Sequence, residues 1–431
     1  MGNPGIRRAL LFLSASLALC MWFYVDRIWG PQKQIHYSDL YPRWYGSQEL
    51  LLHGKDPYGP EVSKEIQVWS YGRAVAPGEQ KDEDRFAYPL YVAFLLAPTV
   101  TLPFPQVVRL FRWILPIAAF ISVPLWVRML RWKCDRSLLG SLTLLSFGSF
   151  QVLESIYLQN PVLLAATFLA GAGASLGAGR LALAGVLLAL STIKPQLGVL
   201  LAAWLVVWAA SDWRRRKAFL WGFGITLALL IAGSELLLPK WIPEFLAGVL
   251  AYQHYTGNFS ILRLFLGSLG GTVAALVLLL IFIRLAWTMR QKALDSREFA
   301  VVSCIALVVT VVTMPTLYPT NQVVLLPAIF FIVSEWKKLW RAGRALRLAL
   351  FATSILIAWP WLGTLILMVA RIYKPANAIR NLWLFPVSSI LLVPISILIV
   401  FAMVAPVVFE DLSFGLYYPR SSLNWTAKRG D

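Results

Sequence analysis

The chain predicts an all-α, polytopic membrane protein, and three observations carry that prediction. Of its 431 residues, 58% are hydrophobic and only 14% charged, with a mean hydropathy of +0.67. Apolar runs close to the roughly 20 residues that a helix needs to cross a bilayer recur along its length. The net charge of +18 is carried in short basic clusters between those runs, the pattern that holds loops on the cytoplasmic side. Because the positives are dispersed rather than gathered on one segment, nucleic acid is not expected as a partner, whereas membrane lipids are.

Keeping every basic cluster on one side sets the crossings. The clusters are Arg7-Arg8; Arg128, Arg131, Lys133 and Arg136; Arg214 to Lys217; Arg284, Arg290 and Lys292; Lys337 to Arg347; and Lys428-Arg429. The smallest set of spans that does so runs 8–29, 106–130, 137–154, 160–178, 180–193, 195–211, 217–238, 270–290, 298–315, 319–334, 345–371 and 382–405. That is about 12 transmembrane helices in a single integral membrane domain, 1–431, with both termini cytoplasmic. The bundle proper occupies 106–405 and a cytoplasmic tail 406–431. The first span follows Arg7-Arg8 without a small-x-small cleavage site and reads as a retained signal anchor. Lys194-Pro195 parts the two short pieces in the middle. Tyr88 to Pro103 is too short to cross comfortably and reads as a membrane-dipping or juxtamembrane helix on the outer side. Cys20, Cys134 and Cys304 lie in or beside apolar runs with no CxxC or CxxH neighbours, so neither a disulfide framework nor a metal site is expected.

One large extracytoplasmic loop, 30–105, remains between the first two spans. Its stretch from Gly30 to Ala87 holds seven Lys/Arg against nine Asp/Glu, so the excess positive charge lies elsewhere. Ser38 and Asp39 are good helix-start residues, Pro42 suits a first turn and Gly54 a C-terminal stop, which predicts a short helix over 42–53. The following GKDPYGPE is turn chemistry, and Val75 to Arg85 reads as a polar, flexible segment. Asp39 stands at the head of the short helix, either as its cap or as an acid at the mouth of the membrane domain. Asp82-Glu83-Asp84 formally spells DxD, but with no strand before it the run reads as solvated loop charge. No HExxH, P-loop or nucleophile elbow is present.

DLYPRWYGSQELLLHGKDPYG, FAYPLYVAFLLAP from Phe86 to Pro98, and LALAGVLLALSTIKPQLGVLLAAWLVVW followed by WRRRK occur in this order. In that order and spacing the chain resembles glycosyltransferase family 87, whose members are similar to polyprenol-phosphate-mannose-dependent α-mannosyltransferases of the GT-C superfamily. The resemblance covers most of residues 1–335. It implies a GT-C-type helical bundle that moves a hexose, mannose by resemblance, from a polyprenyl-phosphate donor to a lipid or cell-envelope glycan acceptor. It also implies that Asp39 is the catalytic base, that the site faces outward from the plasma membrane, and that no cofactor is needed. Two departures stand out. The family often has YPP where this chain has Tyr88-Pro89-Leu90, and it commonly carries a late-span histidine where this chain reads MPTLYPTNQ. His254 or Asn321 would then take that place.

The chemistry asks for few groups. An acceptor hydroxyl must lose its proton as the anomeric carbon gains positive charge, and one positioned carboxylate serves inversion. The departing phosphate needs cations rather than an acid. Lys194 at its proline-broken junction, and Arg109 and Arg112 at the outer end of the 106–130 span, are the candidates. Each has a plainer reading, as a residue snorkelling to the interface. Tyr88, Gln159, Asn160, Gln196, His254 and Asn321 are the candidate substrate contacts, although polar residues at helix turns and a lone loop histidine are ordinary features. Two other functions stay open, a lipid-glycan transporter or flippase and an envelope-glycan polymerase or ligase. A transporter should carry ionisable residues near the bilayer midplane, and here they gather at the outward face.

Overall fold

Water is absent from the hydrocarbon core, so each apolar run must satisfy its own backbone and does so as a helix. The computed structural model describes residues 4–29, 38–76, 78–79, 81–255, 259–316, 318–375, 378–379 and 382–408. Among these there is no strand. Five helices are long and apolar enough to cross a membrane: α1 (Pro4–Trp29), Phe104–Met129, Trp213–Leu237, Ile261–Met289 and Arg344–Tyr373. Between α1 and Phe104 lie α2 (Tyr41–His53), α3 (Pro60–Tyr71) and the five-residue α4 (Val92–Leu96). Phe104–Met129 is therefore α5, and α4 is the longest helix within 88–103, too short to cross.

The span expected at 137–154 is two helices, α6 (Arg136–Phe147) and α7 (Phe150–Tyr157), bent by 53° at their junction. Shorter apolar helices follow as α8 (Val162–Gly177), α9 (Leu181–Ser191) and α10 (Val199–Ala210), then the long α11 (Trp213–Leu237). A helix the sequence did not signal, α12 (Trp241–Tyr255), precedes α13 (Ile261–Met289), which is broken at Gly267 by a φ of 73°. The chain continues through α14 (Arg297–Thr313), a 3-10 turn at Pro319–Leu325, α15 (Leu326–Ser334), α16 (Trp336–Arg341), α17 (Arg344–Tyr373) and α18 (Val393–Val408).

With no hydrophobic force between helices in lipid, close backbone approach holds them together, and small residues permit it. A Cβ on Gly185 of α9 would lie 2.2 Å from the Phe219 carbonyl of α11, and one on Gly222 of α11 would lie 2.2 Å from the Ala182 carbonyl of α9. Neither position has room for a side chain. α14 sits at the centre, with every residue from Phe299 to Val312 buried apart from Ala300.

The bundle has two unlike ends. α8 starts next to Asn160 and finishes at Gly177, whose carbonyl accepts from Arg131 Nη2 at 3.3 Å. Its 16 residues separate those points by about 24 Å at the helical rise. At the Arg131 end the basic clusters meet backbone carbonyls. In one such knot, Arg216 Nη1 donates to the Trp208 and Arg290 carbonyls at 2.6 and 3.1 Å, and Trp208 Nε1 donates to the Lys292 carbonyl at 3.0 Å. The opposite end carries the turns at 158–160, 192–196 and 314–321, and α2 to α4 fold over it.

Candidate functional site

The expected short helix is α2, closed by Gly54 in the left-handed conformation at φ 68°. Its fit over the bundle is specific. Trp44 Nε1 and Gln48 Nε2 donate to the Thr99 and Val100 carbonyls at 3.1 and 2.7 Å. Lys55 ties α2 to α3 by reaching Glu49 at 3.2 Å and Glu61 at 2.9 Å. The GKDPYG run does more than turn the chain. Asp56 Oδ1 accepts from the Tyr58 N–H at 2.8 Å, and the Tyr58 hydroxyl donates to the Tyr88 carbonyl at 2.7 Å. Tyr91 in turn donates its hydroxyl to the Thr192 carbonyl at 2.9 Å. This series of bonds sets the Tyr88 segment between α2 and the Lys194 turn.

Asp39 is not a helix cap. The cap position is Leu40, which makes no side-chain capping bond. The Asp39 N–H donates to the Leu158 carbonyl at 2.8 Å, stapling the head of α2 to the turn between α7 and α8. Its carboxylate accepts from Asn160 Nδ2 at 2.6 Å, and Asn160 Oδ1 accepts from Lys194 Nζ at 3.3 Å and from the Val162 N–H at 2.9 Å. Asn160 therefore bridges the acid and the ammonium and fixes both. Lys194 and Asn160 are each 6% exposed.

These groups line a cavity of about 230 Å³. Asp39 and Arg43 come from the head of α2, Asp82, Asp84, Arg85 and Tyr88 from the first loop, Lys194 and Gln196 from the α9–α10 break, and Asn321 from the 3-10 turn after α14. Phe245 and Val249 of α12, with Ile193, Met314 and Pro315, make an apolar wall. Six of the candidate residues read from the sequence thus share one cavity: Asp39, Tyr88, Asn160, Lys194, Gln196 and Asn321. Gln159 is buried beside it with a positive φ of 51° and gives its amide to the Ile156 and Tyr157 carbonyls. Arg109 and Arg112 lie on an exposed face of α5 and do not line the cavity. The side chain of His254 lies outside the described residues.

Two features differ from the sequence reading. Val75 to Arg85 does not run free where it is described. Gln67 on α3 accepts from the Val75 N–H and donates to the Glu83 carbonyl, both at 2.9 Å, and the Ser70 hydroxyl donates to the Asp84 carboxylate. Asp82 and Asp84, read as solvated charge, consequently line the cavity. Burial pushes Asp84 up to about 6 against the opposing pull of the Ser70 hydroxyl and the Arg43 guanidinium. Arg43 was also missed. It lies four residues after Asp39, donates Nη1 to the Asp39 carbonyl at 2.7 Å and sets its guanidinium 4.4 Å over the Tyr88 ring. Its four-residue spacing from Asp39 was the available signal, since one helical turn brings it to the same side.

Three carboxylates, three cations and a row of hydrogen-bonding side chains around a small cavity suit the transfer of a hydroxyl-bearing group from an anionic carrier. Comparison with known proteins adds an independent finding. Residues 86–315, more than half of the chain, match the family model for glycosyltransferase family 87. No curated protein and no solved structure matches.

Proposed function

The chain belongs to glycosyltransferase family 87 and is a membrane glycosyltransferase; from that premise we propose that it transfers a hexose, mannose in the first instance, from a polyprenyl-phosphate donor to a lipid or cell-envelope glycan acceptor at the outer face of the plasma membrane. Asp39 is the base. The observation that carries this reading is the Asp39 carboxylate held by Asn160 at 2.6 Å in the cavity that Lys194 lines.

The step is a single displacement. The acceptor oxygen forms a bond to the anomeric carbon while the bond from that carbon to the phosphate oxygen breaks. The acceptor's proton passes to Asp39, and the polyprenyl phosphate leaves with the bonding electron pair. Proton removal by a positioned carboxylate contributes as charge develops, and the cations stabilise the departing oxygens. Lys194 acts as a point charge and Arg43 as a planar fork suited to phosphate. Arg109 and Arg112 would meet the donor only as it approaches along the outer end of α5. Tyr88, Gln196 and Asn321 supply sugar contacts from the cavity wall, whereas Asn160 is a positioning residue. His254 and Gln159 keep the substrate-binding role that the sequence suggests for them. The apolar wall from α12 suits the lipid part of the donor.

A donor screen tests the reading. Purified protein in lipid is expected to consume synthetic polyprenyl-phosphate hexoses, with mannose preferred, and to leave nucleotide sugars intact, as followed by mass spectrometry of products. Turnover of nucleotide sugars with no use of any polyprenyl-phosphate hexose would sink it.

A further inference from the structure

We propose that Asp84 is an acceptor-binding carboxylate, which takes a hydroxyl of the acceptor other than the one that reacts and thereby selects polyhydroxyl acceptors over simple alcohols. The proposal rests on the transfer reaction argued above and adds a residue that the sequence reading set aside as loop charge and that lies outside the matched residues 86–315.

Asp84 is held where a solvated loop residue has no need to be. Its φ of +41° lies in a region that non-glycine residues seldom occupy, and such a conformation persists only where the surroundings impose it. Gln67, 8% exposed, fixes the neighbouring Glu83 carbonyl, and the Asp84 N–H donates to Asp82 Oδ1 at 2.8 Å. Asp84 lines the cavity with Asp39, and its carboxylate receives the Ser70 hydroxyl. A carboxylate offers about four lone-pair sites, so one hydroxyl leaves most of its accepting capacity for a ligand.

A separate wall points to the same ligand chemistry. Asn321 is 3% exposed and lines this cavity, and its Oδ1 has no hydrogen-bond partner. Its Nδ2 donates to the weak acceptor Met314 Sδ at 3.3 Å and to Thr316 Oγ1 at 3.4 Å. Buried acceptors are rarely left unsatisfied, and a ligand with several hydroxyls can serve both the Asn321 amide and the Asp84 carboxylate, residues of one cavity lining. Sugar hydroxyls fit. An alcohol with one hydroxyl would have nothing left for Asp84 once Asp39 took its proton.

The test uses full-length protein, the polyprenyl-phosphate hexose it consumes, and methyl hexosides as acceptor probes. Asp84→Asn is expected to raise the KM for the methyl hexoside at least tenfold and that for the donor less than twofold. Ser70→Ala, whose side chain does not line the cavity, is expected to raise the methyl hexoside KM in the same direction by a smaller factor, and it serves where Asp84→Asn proves unstable. A methyl hexoside KM unmoved by both substitutions, with donor use intact, would overturn the role of Asp84 alone. Transfer to n-dodecanol but to no methyl hexoside would overturn it too. Failure of the wild type to use any polyprenyl-phosphate hexose would instead remove the transfer reaction, and this proposal with it.

Discussion

Replacing Asp39 by asparagine is expected to lower sugar transfer by about 10²–10⁴-fold, the contribution of a positioned general base, with the fold unchanged. The substitution keeps the shape of the side chain, and an amide oxygen can still accept from Asn160 Nδ2, which now lies 2.6 Å from the carboxylate. The bond from the Asp39 N–H to the Leu158 carbonyl is untouched, so α2 stays docked. What is lost is the ability to take a proton. Donor KM is expected to stay within a few-fold of the wild type, because the group acts on the acceptor hydroxyl as the transition state forms. Turnover like that of the wild type would remove Asp39 from the chemistry.

The second large effect is expected from Lys194→Ala. A hydrogen bond to a charged group contributes about 1.5–3 kcal/mol, or roughly 10–150-fold in affinity, so donor KM should rise by at least an order of magnitude. Asn160 would at the same time lose its contact with Lys194 Nζ and hold Asp39 less firmly, so kcat should fall as well, by a smaller factor. A shortened donor lipid with the same phosphate should show the same loss, because the ammonium serves the phosphate and not the chain. Unchanged donor KM in steady-state assays of the purified variant would take Lys194 out of the site.

Much of the architecture was legible because lipid allows few solutions. The bounds of α5, α11 and α17 lie within four residues of the runs read from hydropathy and charge. α2 follows from Pro42 and Gly54, whose backbone preferences are local. What local patterns do not encode is where a chain folds back. The 53° bend between α6 and α7 falls at Gly148-Ser149, where a Cβ on Gly148 would lie 2.4 Å from Ala18 of α1. That bend is a consequence of packing against a helix 130 residues away, and the apolar run alone reads as continuous. α12 was hidden because its 15 residues, with Pro243 near their start and a place between two spans, are too few to read as a crossing.

The site divides in the same way. Asp39, Asn160, Lys194 and Asn321 stand at helix breaks and turns, which sequence marks with Pro, Asn and Asp, and these residues converge on one cavity. Asp84 escaped because its position depends on Gln67 and Ser70 of α3, two polar residues whose partners no spacing rule names. Arg43 escaped because an arginine in a short interfacial helix reads as solvated until Tyr88 is seen 4.4 Å beneath it. Arg109 and Arg112 failed to reach the cavity for a related reason: a charge near a helix end is placed by the rotation of the helix about its axis, which hydropathy constrains weakly when the helix touches both lipid and protein.

The central claim is one displacement driven by one carboxylate, and the anomeric configuration of the product tests it most directly. With a polyprenyl-phosphate hexose of defined configuration and a methyl hexoside acceptor, the new glycosidic linkage is assigned by its proton and carbon couplings in magnetic resonance spectra. Inversion at the anomeric carbon is the result predicted. Retention, which requires a second displacement and a covalent or equivalent intermediate, would contradict it.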